Sequence, residues 1–504
     1  MNDEFLKQQK KRKAAIERAE KLNKTVLSSP KVDRIAGPPT LDIPSPLKDK
    51  TKLPFYCCIP FTMLFSTEMG DYAACNFAVP SSQFTPEGDR IKGTPGKDGQ
   101  NVVNTTVEDW MTKSEYMNKL RKEMVDPNSP REWTKKVCDK CIYDEGKHGS
   151  SRRLNVTGRY SRDPDFWPLI ERTTQKFKDT GQYHFTDRVL EAQLKIFGTE
   201  CNLDCFMCMP FSSDMRQKNT YVEGREFHPT VWDKKEVMKV RSIRANKIYD
   251  PAIVDQLAQV APYIRTLKLI GGEPLIMKKQ YELLDYLVSS GHAKHMHIKY
   301  QTNLTKTAHG DHNIFDYIPK FKLVNVVVSI DGVGKYNDYL RRRASYKEIM
   351  DNIDMMLKYK NVLVDMNAMV TMPGVLRLYE LFEVYKNRPE INDMNWWMIF
   401  DPYSMRVHHM PQELKDMVKP YYQKYPEAHD IVTALERPRE VDSDLHFNST
   451  IKYLLDRDKH YEGTKWEMHL FDVFPELERF YDPSKAGKSE TLNSIDDWRN
   501  WEYN

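Results

Sequence analysis

From about residue 188 the chain alternates between short apolar runs and longer stretches of helical periodicity. Six runs of strand length stand out: LEAQLKIFG (190–198), IRTLKLIGG (264–272), MHIKYQTN (296–303), LVNVVVSIDG (323–332), VLVDMNAMV (362–370) and NWWMIF (395–400). Helical patterns lie between them at 251–261, 279–289 and 346–358. Strands alternating with helices predict a parallel sheet with helices outside it. Six such units predict an α/β fold, a partial (β/α)6 barrel, with its chemistry at the C-terminal ends of the strands.

The pattern differs on either side of this core. Residues 1–50 are basic and then rich in Pro and Ser, which predicts a flexible arm with a helix from Glu4 to Leu22 as the competing reading. Residues 51–155 form a small α+β unit: FTMLFST, a turn near Gly70, a returning strand that ends at Cys75, and a helix over 107–125. Residues 156–187 read as a linker, 188–404 as the barrel core and 405–504 as a helical C-terminal extension with no nameable chemistry.

Composition narrows the function classes. The 504 residues are 40% hydrophobic and 29% charged, ordinary for a globular protein. A net charge of +4 gives no case for general nucleic-acid binding. No run is long enough to cross a bilayer, and the first residues are charged throughout. The expectation is a protein of the cytoplasm with no membrane partner.

The eight cysteines fall into two groups. Cys201, Cys205 and Cys208 share one short loop, CNLDCFMC. Thiolates suit iron–sulfur clusters and zinc, but a structural zinc site closes with four ligands. Three local ligands leave a position open for a cofactor or substrate. The other motifs also fall at strand ends: GGEP (Gly271, Gly272, Glu273, Pro274), QTN (Thr302, Asn303) and SIDG (Ser329, Asp331). Paired glycines permit close backbone approach, and the carboxylates and hydroxyls are hydrogen-bond partners that suit either a ligand or a turn. Asn367, Trp396 and Trp397 are the pocket candidates from the last two strands, with core packing favoured for both tryptophans.

The three-cysteine loop, with GGEP one strand later, resembles the radical S-adenosylmethionine (radical SAM) superfamily. The resemblance implies that Cys201, Cys205 and Cys208 ligate a [4Fe–4S] cluster whose open iron chelates S-adenosylmethionine. Reductive cleavage then yields a 5′-deoxyadenosyl radical that abstracts hydrogen from a substrate. It implies that Gly271–Pro274 hold the methionyl amine and that Met207, in place of the aromatic residue often found there, lies near the adenine. Thr302, Asn303, Ser329 and Asp331 would face the ribose or the methionyl carboxylate, and Arg341 would pair with that carboxylate. A reductant such as flavodoxin or ferredoxin would be a partner.

The upstream segments YCCIPFTML, GDYAAC and CDKCIYDEGKHGSSRRLN resemble the N-terminal twitch domain, a shortened SPASM domain, of a branch common in phage and environmental sequences. That resemblance implies an auxiliary [4Fe–4S] cluster on Cys57, Cys75, Cys138 and Cys141, with Cys58 the alternative to Cys57, and a host-cytoplasm location if phage-encoded. A structural zinc site is the alternative for this set. The expected function is a radical SAM enzyme with an unknown substrate, a peptide or protein being the favoured class. A non-enzymatic metal scaffold or electron-transfer module is the alternative.

Overall fold

The computed structural model describes residues 55–486 except 68–69, 82–83, 85–99, 103, 187, 196, 210–211, 221–251 and 400–401. The expected N-terminal arm and the end of the tail, 487–504, lie outside the described residues.

All six expected strands form. In chain order the main sheet contains β1 (Met63–Ser66), β2 (Tyr72–Ala73), β3 (Leu190–Leu194), β4 (Ile264–Leu269), β5 (His297–Thr302), β6 (Leu323–Ser329), β7 (Val362–Val370) and β8 (Asp393–Met398). Their spatial order is β8-β7-β6-β5-β4-β3-β1-β2. Every pairing from β1 through β8 is parallel except the β1–β2 hairpin at the edge. Sequential parallel order requires a crossover after each strand, and the helices Lys278–Ser289, Tyr346–Met356 and Tyr379–Lys386 supply three of them. The second of these is N-capped: Ser345 Oγ accepts from the Glu348 N–H (3.3 Å).

The strands alternate cleanly. One face buries Leu194, Leu267, Ile298, Val326, Val364 and Met366. The other carries Gln193, Lys268, Lys299 and Asn325 in one register row, with Glu191 and Asp365 nearby on the same face. A closed (β/α)8 barrel fills that inner face with branched apolar side chains. Here it is polar.

Three expectations are corrected. The segment 156–187 is not a linker. Helices Arg152–Tyr160 and Trp167–Thr180 occupy most of it, burying Trp167, Ile170 and Phe177, and Gly181 closes the second at φ 68°. Pro168 lies in the first helical turn, where a missing N–H costs nothing. The unit 51–155 is not separate from the core, because β1 pairs in parallel with β3 and one hydrophobic core runs from Tyr56 to Leu477. Phe61 and Thr62, the first residues of the expected strand FTMLFST, belong instead to the helical turn Ile59–Thr62. The tryptophans are not both core residues: Trp397 is 56% exposed and donates to Asn367 Oδ1 (2.9 Å), while Trp396 is half-buried against Phe382 and donates to Asp430.

Candidate functional site

The three-cysteine loop leaves β3 and lies at the C-terminal ends of the parallel strands. Asp204 and Cys205 pair antiparallel with Arg342 and Arg341, and Cys208 N–H donates to Cys205 O (3.2 Å). The Cys205 and Cys208 sulfurs share a hydrogen bond, which raises the Cys205 thiol pKa and lowers that of Cys208. Burial, with Cys205 and Glu273 nearby, pushes Cys201 up to about 12. Buried thiols of this kind give up their protons readily only to a metal.

Two donors point at these sulfurs. Arg341 Nη1 lies 3.8 Å from Cys205 Sγ and Asn303 Nδ2 lies 3.9 Å from Cys201 Sγ. Arg341 is itself clamped by Asp331, with Nε 2.8 Å from Oδ2 and Nη2 donating to Oδ1 (3.1 Å). Asp331 Oδ1 also accepts from Met369 N–H (2.8 Å), which ties the ends of β6 and β7 together.

The GGEP turn packs against the loop leading to Cys201. Gly271 has φ 151°, and a Cβ there would sit 2.8 Å from Gly198 O. At Gly272 a Cβ would sit 2.3 Å from Glu200 O and 2.5 Å from Thr199 O. The space these glycines leave is therefore occupied by the 198–200 backbone. Glu273 N–H donates to Glu200 O (2.7 Å).

Glu273 is fully buried and accepts from Leu275 N–H (3.0 Å), Thr302 O–H (2.6 Å) and Asn303 N–H (2.6 Å). Burial raises its pKa to about 7 against those lowering bonds. The expected acceptor for a ligand ammonium is thus also the brace between the ends of β4 and β5. Pro274 opens the short helical turn after it and is buried. Met207 is 8% exposed, Phe206 is core, and Ser329 is half-buried on the polar face in register with Asn367.

A second support comes from the C-terminal extension, where sequence reasoning found no chemistry. Helix Ser443–Tyr461 presents Tyr453, Arg457 and Tyr461, spaced four apart, to the loop. Tyr453 O–H donates to Phe206 O (3.2 Å) and Tyr461 O–H to Asp204 Oδ2 (2.8 Å). Asp204 also pairs with Arg216 (3.0 Å) and Arg457 (3.3 Å). Burial works against the Asp204 carboxylate, but the two arginines hold its pKa well below the usual range. Next to this group, Arg342 pairs with Asp458 (2.6 Å).

Among the described residues, the only group with three His, Cys, Asp or Glu donor atoms within 4.8 Å of one another is His408, His409 and Glu440. The thiol donor set suits an iron–sulfur cluster or zinc.

Residues 195–377 match the family model of the radical SAM superfamily. Over these residues the chain carries a radical SAM domain. No curated protein matches the chain. Among solved structures it is similar to Streptococcus suis SuiB bound to the precursor peptide SuiA, at 15% identity and a TM-score of 0.27, over 62% of this chain. The chain spans about half of SuiB's length, 55%.

Upstream of the radical SAM domain the structure gathers the second cysteine set. Cys57 lies near Cys58, Cys75 and Cys138, while Cys75 and Cys138 both lie near Cys141. Burial raises all four thiols, Cys141 to about 11. Cys58 turns the other way: its Sγ accepts from Thr157 Oγ1 (3.6 Å), and its charged neighbours are Glu191 and Arg159. The doublet is thereby divided between two environments. No helix among the described residues is long and apolar enough to cross a membrane.

Proposed function

We propose that the protein binds a catalytic [4Fe–4S] cluster through Cys201, Cys205 and Cys208, with S-adenosylmethionine beside it, and an auxiliary cluster through Cys57, Cys75, Cys138 and Cys141. Once bound, cluster and cofactor supply reductive cleavage of the sulfonium and a 5′-deoxyadenosyl radical that removes a hydrogen atom from substrate. The chain's own residues hold the geometry. Gly271 and Gly272 lock the GGEP turn onto the cysteine loop, Glu273 ties β4 to β5, and the Asp331–Arg341 pair fixes a cation beside Cys205. Phe206 and the nearly buried Met207 keep water from the loop.

One observation carries this reading: the three cysteines sit at the parallel strand ends with a largely buried arginine, Arg341, 3.8 Å from Cys205 Sγ. The auxiliary assignment rests on four converging thiols, three of them buried, with the Cys58 sulfur engaged by Thr157. A peptide or protein is the proposed substrate class, flavodoxin or ferredoxin the proposed reductant, and the cytoplasm the proposed location.

The test is anaerobic reconstitution with iron and sulfide analysis, then a 5′-deoxyadenosine assay with dithionite and S-adenosylmethionine. The wild type should hold about eight irons and make deoxyadenosine. Cys205→Ala should make none and keep about four irons. Cys75→Ser should lose about four irons, and Cys58→Ser none. Zinc without iron, or undiminished cleavage in Cys205→Ala, defeats the proposal.

A further inference from the structure

The polar face of the sheet carries an arrangement that the cofactor site does not use. Lys268 on β4 and Lys299 on β5 are register partners on adjacent parallel strands, pointing to the same side. Like charges directly opposite each other in a sheet are destabilising, and partial burial adds to the cost. Both lysines are only partly exposed. Lys195 and Arg152 add positive charge nearby; Lys268 is pulled down to about 8 by burial first, then by Lys299, Lys195 and Arg152.

The acids of this face answer the conflict only in part: Asp365 and Glu191 favour the charged form of Lys299 and Glu191 that of Lys268, but burial still pulls both lysines down. Glu191 accepts from the Tyr160 hydroxyl. Asp365 spends its two oxygens on amides, Asn392 Nδ2 (2.7 Å) and Asn325 Nδ2 (2.9 Å). Among the described residues, neither Lys268 nor Lys299 has an ion-pair partner within 4.0 Å. Arg152 borders the row: its guanidinium hydrogen-bonds Cys75, and its buried Nε has no hydrogen-bond partner. The row and its border thus combine four cations, Lys195, Lys268, Lys299 and Arg152, with two carboxylates, Glu191 and Asp365, that accept hydrogen bonds from neutral side chains.

The place is as informative as the charge. Lys268 precedes Gly271 by three residues and Lys299 precedes Asn303 by four. At 3.3 Å per residue the ammonium row lies about 10–13 Å below the strand ends that carry the cysteine loop. A small substrate or one side of a peptide spans that distance.

We propose that Lys268 and Lys299, flanked by Lys195 and Arg152, bind an anionic group of the substrate, a carboxylate or a phosphate, on the polar face of the sheet. This deepens the radical SAM reading and rests on it for the word substrate. A carboxylate would come from an acidic side chain or chain end of a peptide, and a phosphate from a phosphorylated small molecule.

The experiment is equilibrium dialysis of the anaerobically reconstituted protein against radiolabelled inorganic phosphate and, separately, glutarate. Wild type should bind one of the two saturably, and the anion bound identifies the group. Lys268→Gln and Lys299→Gln should each weaken that binding by about tenfold, and Lys268→Arg should restore most of it. Because each change removes a like-charge clash, the midpoint of thermal unfolding should hold or rise; a fall would mean the lysines are structural and would overturn the proposal. So would binding unchanged in the Lys268→Gln, Lys299→Gln double variant, or no binding of either anion to wild type. The deoxyadenosine assay fails independently: anion binding by a protein that makes no deoxyadenosine would leave this site standing and sink the radical reading.

Discussion

Replacing Gly272 by alanine tests what the paired glycines are for. The new Cβ would lie 2.3 Å from Glu200 O and 2.5 Å from Thr199 O. Carbon needs more than 3 Å of separation from such an oxygen, so the 199–200 backbone must retreat by about 1 Å. That movement stretches the Glu273 N–H to Glu200 O bond, now 2.7 Å, and carries Cys201, the next residue, with it. Overpacking of this kind costs about 1–3 kcal/mol, and a lost buried hydrogen bond adds about 1 kcal/mol. The fold survives that, but ligand positions tolerate only about 0.5 Å.

Gly272→Ala should therefore reconstitute with about four irons in place of about eight, the auxiliary set being untouched. The [4Fe–4S]⁺ electron paramagnetic resonance signal that changes on adding S-adenosylmethionine should vanish with them. Urea unfolding should shift to lower midpoint with unchanged slope. The reasoning is refuted if the variant keeps its full iron and its fold yet no longer binds S-adenosylmethionine. The glycines would then make room for the ligand, as a reading from sequence suggests, and not for the loop.

Two further outcomes follow from the C-terminal extension. Arg457→Met removes one of two arginines from the buried Asp204; it should cost about 3 kcal/mol in urea unfolding and lower the iron bound at Cys201, Cys205 and Cys208, and a variant with wild-type stability and iron would show that helix Ser443–Tyr461 does not brace the loop. His408, His409 and His446 pack as tilted rings with centroids 4.1 and 4.4 Å apart, and burial, then neighbouring cations, lowers His408 to about 3. A folded-state pKa below the unfolded value of about 6.5 means that the neutral form is favoured, so this stability is present above pH 6.5 and is lost as pH falls toward 3, by about 1.4 kcal/mol per unit. His408→Phe should flatten the stability slope between pH 6.5 and 4.5; an unchanged slope, or a zinc ion retained by His408, His409 and Glu440 through dialysis, would contradict a neutral cluster.

What could be read from the sequence was whatever repeats locally. Six strands announce themselves because each buries every second residue, and the polar face is visible in the same way in LKL, HIKYQT and LVNV. The helix Trp167–Thr180 escaped because its proline reads as a breaker unless its place in the first turn is known. The brace on the cysteine loop could not be read at all. Tyr453, Arg457 and Tyr461 form an ordinary polar helix face until folding brings Asp204 and Phe206 to them, across about 250 positions of chain.

The second class of difference is more instructive. Glu273, Thr302, Asp331 and Arg341 are the residues that sequence reasoning assigns to the cofactor, and the structure joins them to one another. Physics requires this of any carboxylate buried to 0% exposure, which costs several kcal/mol unless paired. The same side chains must therefore hold the strand ends rigid before they touch a ligand, so their presence in a sequence identifies the chemistry of the family and carries little about the substrate. That information lies where pairing has been left incomplete, and in this molecule the place is the Lys268–Lys299 row. A charge conflict kept between two neighbouring strands, with neither lysine in an ion pair among the described residues, is relieved when an anion binds between them.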